Sequence, residues 1–226
     1  MELNKMEEIT NYAKVSGKIC SEVKISHEIE GEKFYEFKVE VNRLSQAQDV
    51  IPVTVSEHAF GESKPKTEDF VQVSGEYRSY NKIQDDRSRL ILHLFAKEMK
   101  VLQREEFENY VKLSGYICKE PVYRKTPFDR EICDVLLAVN RPNLRKSDYI
   151  PCIAWGRNAR FVGKQKVGCR VEFEGRIQSR EYRKAQSDGS VETKTAYEVS
   201  CQNVRVLDNV TSLEPVSVGS GKVAND

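Results

Sequence analysis

Nothing in this sequence is apolar for long enough to cross a bilayer as a helix, which takes about 20 residues. The longest apolar runs, such as DVLLAV at residues 134–139, stop after a handful. The opening MELNKMEEITNY has no apolar signal-peptide centre. A soluble, cytoplasmic chain without a membrane partner is expected. Histidine is scarce too: His27, His58 and His93 are the only three, and all precede residue 109. There is no glycine-rich phosphate loop, no His-Glu-x-x-His and no credible pairing of a nucleophile with a base. His58 does stand beside Glu57, but no nucleophile accompanies the pair. The expectation is therefore not an enzyme, with no catalytic residues. The six cysteines (Cys20, Cys118, Cys133, Cys152, Cys169, Cys201) include no C-x-x-C pair. A zinc site needs four converging ligands, so no metal and no cofactor are expected. The thiols read as reduced, half-buried side chains within strands.

What is present is a duplication. The 226 residues suit one or two domains, and 39% hydrophobic residues suffice for small cores. NYAKVSGKIC at Asn11–Cys20 returns as NYVKLSGYIC at Asn109–Cys118, 98 residues later. VNR at Val41 returns at Val139, IPVTV at Ile51 as IPCIA at Ile150, and VQVSGEYRS at Val71 as VEFEGRIQS at Val171. Matched order at so long a period describes two whole domains rather than solenoid repeats. The net charge of +1 hides a difference between them. Residues 1–108 carry 16 Lys+Arg against 21 Asp+Glu, and residues 109–208 carry 19 against 12. The second copy alone has the charge to meet a polyanion.

Within each copy the hydrophobic period is two. Val111, Leu113 and Ile117 alternate with polar or larger residues, as do Val135, Leu137 and Val139, and Val171, Phe173 and Ile177. The stretch RNARFVGKQKVG (157–168) fits a short helix ended by glycine. Phe161, Val162 and Phe173 are assigned to packing. The expected fold class is all-β with short helices: two tandem five-stranded Greek-key barrels of the OB type, each with a helix between strands 3 and 4. Gly115 and Gly175 fit the bends that such closure needs. The expected division is an N-terminal segment 1–10, a first, acidic domain 11–103, a linker 104–108, a second, basic domain 109–208 and a disordered tail 209–226. EPVYRKTPFDRE, RPNLRKSD and RKAQSDGSVETK read as loops, the last a long mobile hairpin.

The single tryptophan, Trp155, lies in SDYIPCIAWGRNARF (147–161). Alternation puts Tyr149, Ile153 and Trp155 on one face of this strand, with Ile150, Cys152 and Ala154 on the other. On the next strand the outward parity gives Arg176, Gln178, Arg180 and Tyr182. Tyr123, Arg124, Lys125 and Phe128 in the first hairpin, Arg141 after the second strand, and Arg183 and Lys184 in the last hairpin extend the basic, aromatic character. Each feature alone has a plainer reading: a lone tryptophan is commonly core, and a surface arginine is commonly solvated. Their convergence on adjacent strands is what single-stranded nucleic acid requires. Unpaired bases stack on rings at about 1–3 kcal/mol each, while Lys and Arg meet phosphates and release counterions.

The segments NYVKLSGYICKEPVYRKTP, LLAVNR, SDYIPCIAWGRNARF, VEFEGRIQSREY and AYEVSCQNVRVL span nearly all of 109–208 and resemble the bacterial single-stranded DNA-binding proteins. The first copy follows the same plan more weakly. The resemblance implies base stacking at Tyr149, Trp155 and Tyr182. It also implies a four-OB assembly, hence a homodimer of this two-copy chain, and possible replication or repair proteins as partners. The first copy departs from it, with Ser56, Glu57, His58 and Lys82 where Trp155, Gly156, Arg157 and Tyr182 stand. It is expected to complete the assembly or serve a partner rather than to bind DNA strongly. The chain ends GSGKVAND, unlike the acidic, aromatic-tipped tails through which the family recruits partners. The expected function is sequence-independent binding of single-stranded DNA in replication, recombination or repair. Two alternatives are an RNA-preferring binder and an OB-fold adaptor that mainly binds protein, as in a primosome-like or mobile-element complex.

Overall fold

In the computed structural model, the described residues are 9–43, 45–60, 64–84, 87–141, 144–185 and 190–207. The first copy supplies β1 (Asn11–Ile19), β2 (Lys24–Ile29), β3 (Glu32–Asn42), β4 (Gln48–Ser56), β5 (Phe70–Gln84) and β6 (Arg87–Val101). The second supplies β7 (Glu108–Ile117), β8 (Val122–Lys125), β9 (Glu131–Asn140), β10 (Ser147–Trp155), α1 (Gly156–Val162), β11 (Arg170–Ala185) and β12 (Val191–Val206). Strands dominate, as the period of two requires.

The strands follow the order β2-β3-β4-β6-β5-β1-β7-β11-β12-β10-β9-β8, with further pairings β3–β1 and β7–β9. Those extra pairings close each half into a circuit of five strands, and the short β2 and β8 hang on its edge. Within each circuit the β4–β6 and β10–β12 pairs are parallel. Gly115 sits where β7 leaves β11 for β9. A Cβ there would lie 2.5 Å from the Ala138 carbonyl oxygen, so only glycine permits the switch. The inward set is buried as alternation demands: Val111, Leu113, Val135, Leu137, Ile150, Cys152, Ala154, Val171, Phe173 and Ile177 all lie under the sheet.

β1 and β7 join the halves, and their register is particular: Ala13 pairs with Val111, its own counterpart 98 residues on. The two halves are thus related by a pseudo-twofold axis through that pair. Tyr12 and Tyr110 flank it, with ring centroids 6.3 Å apart. β6-β5-β1-β7-β11-β12 consequently run as one continuous series across the molecule.

The short glycine-ended helix expected within 157–168 is α1, which ends at Val162 before Gly163. Four expectations need correction. In the first half the helix is only a 3-10 turn, Glu57–Phe60. Gly156 takes φ +52, a turn from strand into helix that suits glycine, and Glu57 stands at that position in the first copy. RKAQSDGSVETK is mostly strand, since β11 runs to Ala185 and β12 starts at Val191; residues 186–189 lie outside the described residues. Its polar composition misleads because the arm projects beyond its own circuit and pairs only within itself. VYRK, read as loop, pairs with β9 as β8. Phe161, expected to pack, is 41% exposed because Ala159 and Val162 form the buried side of α1. The tail 209–226 and the N-terminal residues 1–8 lie outside the described residues.

Candidate nucleic-acid interface

β10 carries the centre of the candidate site. Its outward parity holds Tyr149, Ile153 and Trp155, while Ile150, Cys152 and Ala154 point into the core. Tyr149 is 47% exposed, Ile153 is buried and Trp155 is half-buried. The indole N–H donates to Ser200 Oγ at 3.1 Å on β12. This bond holds the ring edge against the neighbouring strand and leaves part of the ring open. Sequence gave no hint of Ser200, because the β10–β12 pairing joins segments about 45 residues apart.

Arg157 follows in the first turn of α1, exposed. Arg180, Tyr182 and Arg183 extend along the β11 arm, all exposed, with Tyr182 at 39%. Arg157, Arg180 and Arg183 have no ion pair among the described residues, so their charge is open to solvent. Lys184 lies on the same strand, but its side chain is outside the described residues. Tyr182 is not beside Trp155. The arm carries it to the first half, where it lines a groove of about 540 Å³ with Pro52, Arg89, Leu90, Lys194 and Tyr197. The three expected stacking positions are therefore distributed along a path rather than gathered in one cluster.

The first hairpin is more self-engaged. Arg124 pairs with Asp134 at 2.9 Å and Lys125 with Asp129 at 3.1 Å. The Tyr123 hydroxyl donates to Glu131 Oε1 at 2.6 Å, and Arg160 of α1 pairs with the other oxygen of Glu131 at 2.8 Å. These groups stay at the surface, where such pairs are weak and exchange readily.

Two predicted cations are committed elsewhere. Arg141 donates to both oxygens of Asp148, at 2.9 and 2.7 Å, and to the Ser79 carbonyl at 3.0 Å. Arg176 donates to Asp49 Oδ2 at 2.8 Å and to Gln178 Oε1 at 2.8 Å. Asp49 and Asp148 are each 1% exposed. Both arginines tie one half to the other, a role that outward parity cannot distinguish from phosphate binding.

The single-strand binding protein family model matches residues 108–207. The chain is 33% identical over 124 residues to single-stranded DNA-binding protein 2 of Listeria innocua, covering 52% of this chain and 72% of that one. It is 30% identical to the single-stranded DNA-binding protein of Enterococcus faecalis, again over 52% of this chain but 64% of that protein, less than two thirds of its length. The solved structure of the wild-type single-stranded DNA binding protein from Thermus aquaticus superposes with a TM-score of 0.69 at 15% identity, covering 89% of this chain and 95% of that one. That structure matches both halves, which the family model does not, and at this identity it speaks for the fold. With a relative 33% identical and covered over 72% of its length, the chain belongs to the single-strand binding protein family.

Proposed function

We propose that this chain binds single-stranded DNA without regard to sequence and protects it in replication, recombination or repair. Bases stack on Tyr149, Trp155 and Tyr182, and Arg157, Arg180 and Arg183 meet the phosphates. The observation that carries this is the exposure of two tyrosines on outward strand positions, 47% and 39%, in company with exposed arginines that form no ion pair among the described residues. Buried aromatic positions would instead have favoured a protein-binding adaptor. Each closed five-strand circuit is read as one OB barrel, with the domains at 11–103 and 109–208 joined by 104–108. A homodimer would bring four such barrels together. Replication or repair proteins are its natural partners.

The test is a titration with oligo(dT) that follows tryptophan fluorescence, since every tryptophan photon comes from Trp155. Quenching that weakens with salt, at a log–log slope of about −0.7 per phosphate contacted, supports the reading. No binding in a parallel anisotropy assay overturns it. Competition with oligo(U) separates DNA from RNA preference, because a 2′-hydroxyl reader would favour the latter.

A further inference from the structure

The candidate interface of the second half contains a carboxylate that forms no ion pair among the described residues. Glu198 lies on β12 at the outward parity, directly opposite Gln178 of β11. On its other side runs β10, where Ile153 pairs with Ser200 and Cys152 with Val199. Glu198 is therefore level with the stretch of β10 between Tyr149 and Trp155. Those two rings are six residues apart on one face of an extended strand, a span of about 20 Å. Nucleotides that bridge bases stacked on both rings pass over Glu198.

Its position is built by a chain of hydrogen bonds. Buried Asp49 accepts from Arg176 Nη1 at 2.8 Å, Arg176 Nη2 donates to Gln178 Oε1 at 2.8 Å, and Gln178 Nε2 donates to Glu198 Oε1 at 3.1 Å. A guanidinium can only donate, so Arg176 fixes which end of the Gln178 amide turns towards Glu198. Gln178 is buried and Glu198 half-buried. One oxygen of the carboxylate is thus held, and the other has no hydrogen-bond partner among the described residues. Burial raises the pKa of Glu198, and the charge of Arg180 pulls it back. The counterpart in the first half is His93, opposite Arg78, so this carboxylate belongs to the second half alone.

A fixed negative group on a face that meets a polyanion repels phosphates and is satisfied by an N–H donor. With the phosphates at Arg157 and Arg180, base edges are what reach Glu198. Cytosine offers an exocyclic amino group at its edge, where thymine offers a carbonyl oxygen on a ring of nearly the same size.

We propose that Glu198 gives the chain a bias among bases, accepting from the exocyclic amino group of cytosine and disfavouring the O4 of thymine. The inference rests on the single-strand reading above and refines it: stacking admits every base, and Glu198 grades them. The bias is a matter of one contact, superimposed on binding that tolerates any sequence.

The experiment measures anisotropy of the full chain with labelled oligo(dC) and oligo(dT) of equal length, at one salt concentration and about pH 8, where a carboxylate is ionised. The quantity read is the ratio of the two affinities, in the wild type and in Glu198→Gln. Stacking within the free strands cancels between the two proteins. The amide keeps the shape, loses the charge and gains a donor for thymine O4. The ratio should therefore move towards oligo(dT) by about threefold to tenfold, the worth of one hydrogen bond. Loss of the charge alone would strengthen both strands equally, so an unchanged ratio would overturn the proposal. A second readout leaves the protein unaltered. Strands in which cytosine is replaced by the pyrimidinone that lacks its amino group should bind the wild type more weakly by a similar factor. Equal binding of the two opposes the proposal without any appeal to a variant's folding. If the wild type binds neither oligo(dC) nor oligo(dT), the single-strand reading itself fails, a result distinct from these.

Discussion

Asp49 and Asp148 are counterparts across the pseudo-twofold axis, and each accepts the backbone N–H of a serine in the opposite half. Asp49 Oδ1 takes Ser179 N–H at 2.8 Å, and Asp148 Oδ1 takes Ser79 N–H at 2.6 Å. Each is forked by an arginine of its own half, Arg43 or Arg141. The serine hydroxyls complete the exchange by accepting Val50 N–H at 2.9 Å and Tyr149 N–H at 2.8 Å. The symmetry breaks at one point. Arg176 adds a second cation to Asp49, whereas its counterpart Glu76 adds none to Asp148. The last contact also bears on the proposed site, because the backbone of Tyr149 is held by the half that does not contain it.

Removing Asp49 should be severe. Asp49→Ala strands Arg43 and Arg176 at a buried junction and leaves Ser179 N–H without its acceptor. A broken buried pair typically costs about 3–5 kcal/mol, and urea unfolding followed by circular dichroism should show a loss of that size. A loss below about 1 kcal/mol would mean that water replaces the carboxylate at little cost.

Arg176 and Arg180 lie on one face of one strand but should behave oppositely. Arg176→Ala is expected to lower the urea midpoint and leave affinity for oligo(dT) nearly unchanged. Arg180→Ala should leave the midpoint alone and reduce the salt slope by about 0.7, one phosphate contact. Equal effects on binding would return Arg176 to the interface with DNA.

Tyr149→Ala should weaken oligo(dT) binding by about tenfold, the loss of one stacked base, with little change in stability, since only its backbone joins the halves. Trp155→Ala should weaken binding comparably and also destabilise the fold, because the indole is half-buried and bonded to Ser200. Anisotropy serves for both variants, as the second has no tryptophan to follow.

His93 should make stability fall on the acid side. Burial, then the charge of Arg78, pushes its pKa from 6.5 down to about 4. Arg141 and His27 press in the same direction, and Asp148 opposes them. The Thr54 hydroxyl oxygen lies 2.6 Å from His93 Nδ1. A depressed folded pKa means that the stabilisation is full above pH 6.5 and is lost as pH falls towards about 4. The slope of this single proton reaches at most about 1.4 kcal/mol per pH unit. Urea titrations across that window should show the decline in the wild type and a flatter profile in His93→Gln.

The sequence by itself determined the duplication, the all-strand character and the choice of β10 for the proposed site. These rest on local alternation: a strand with one face in a core must repeat every second residue, so Ile150, Cys152 and Ala154 declare the inside and Tyr149 and Trp155 the outside. Tertiary structure decided what each outward residue meets. Parity assigns Arg176, Arg180 and Tyr182 to the same face, but only the pseudo-twofold pairing through Ala13 and Val111 brings Asp49 to Arg176 and the first half's β6 to Tyr182. Alternation is a property of a dozen consecutive residues. Which face meets which depends on strand pairings and hydrogen bonds between residues 40 to 130 apart, and no local pattern encodes them.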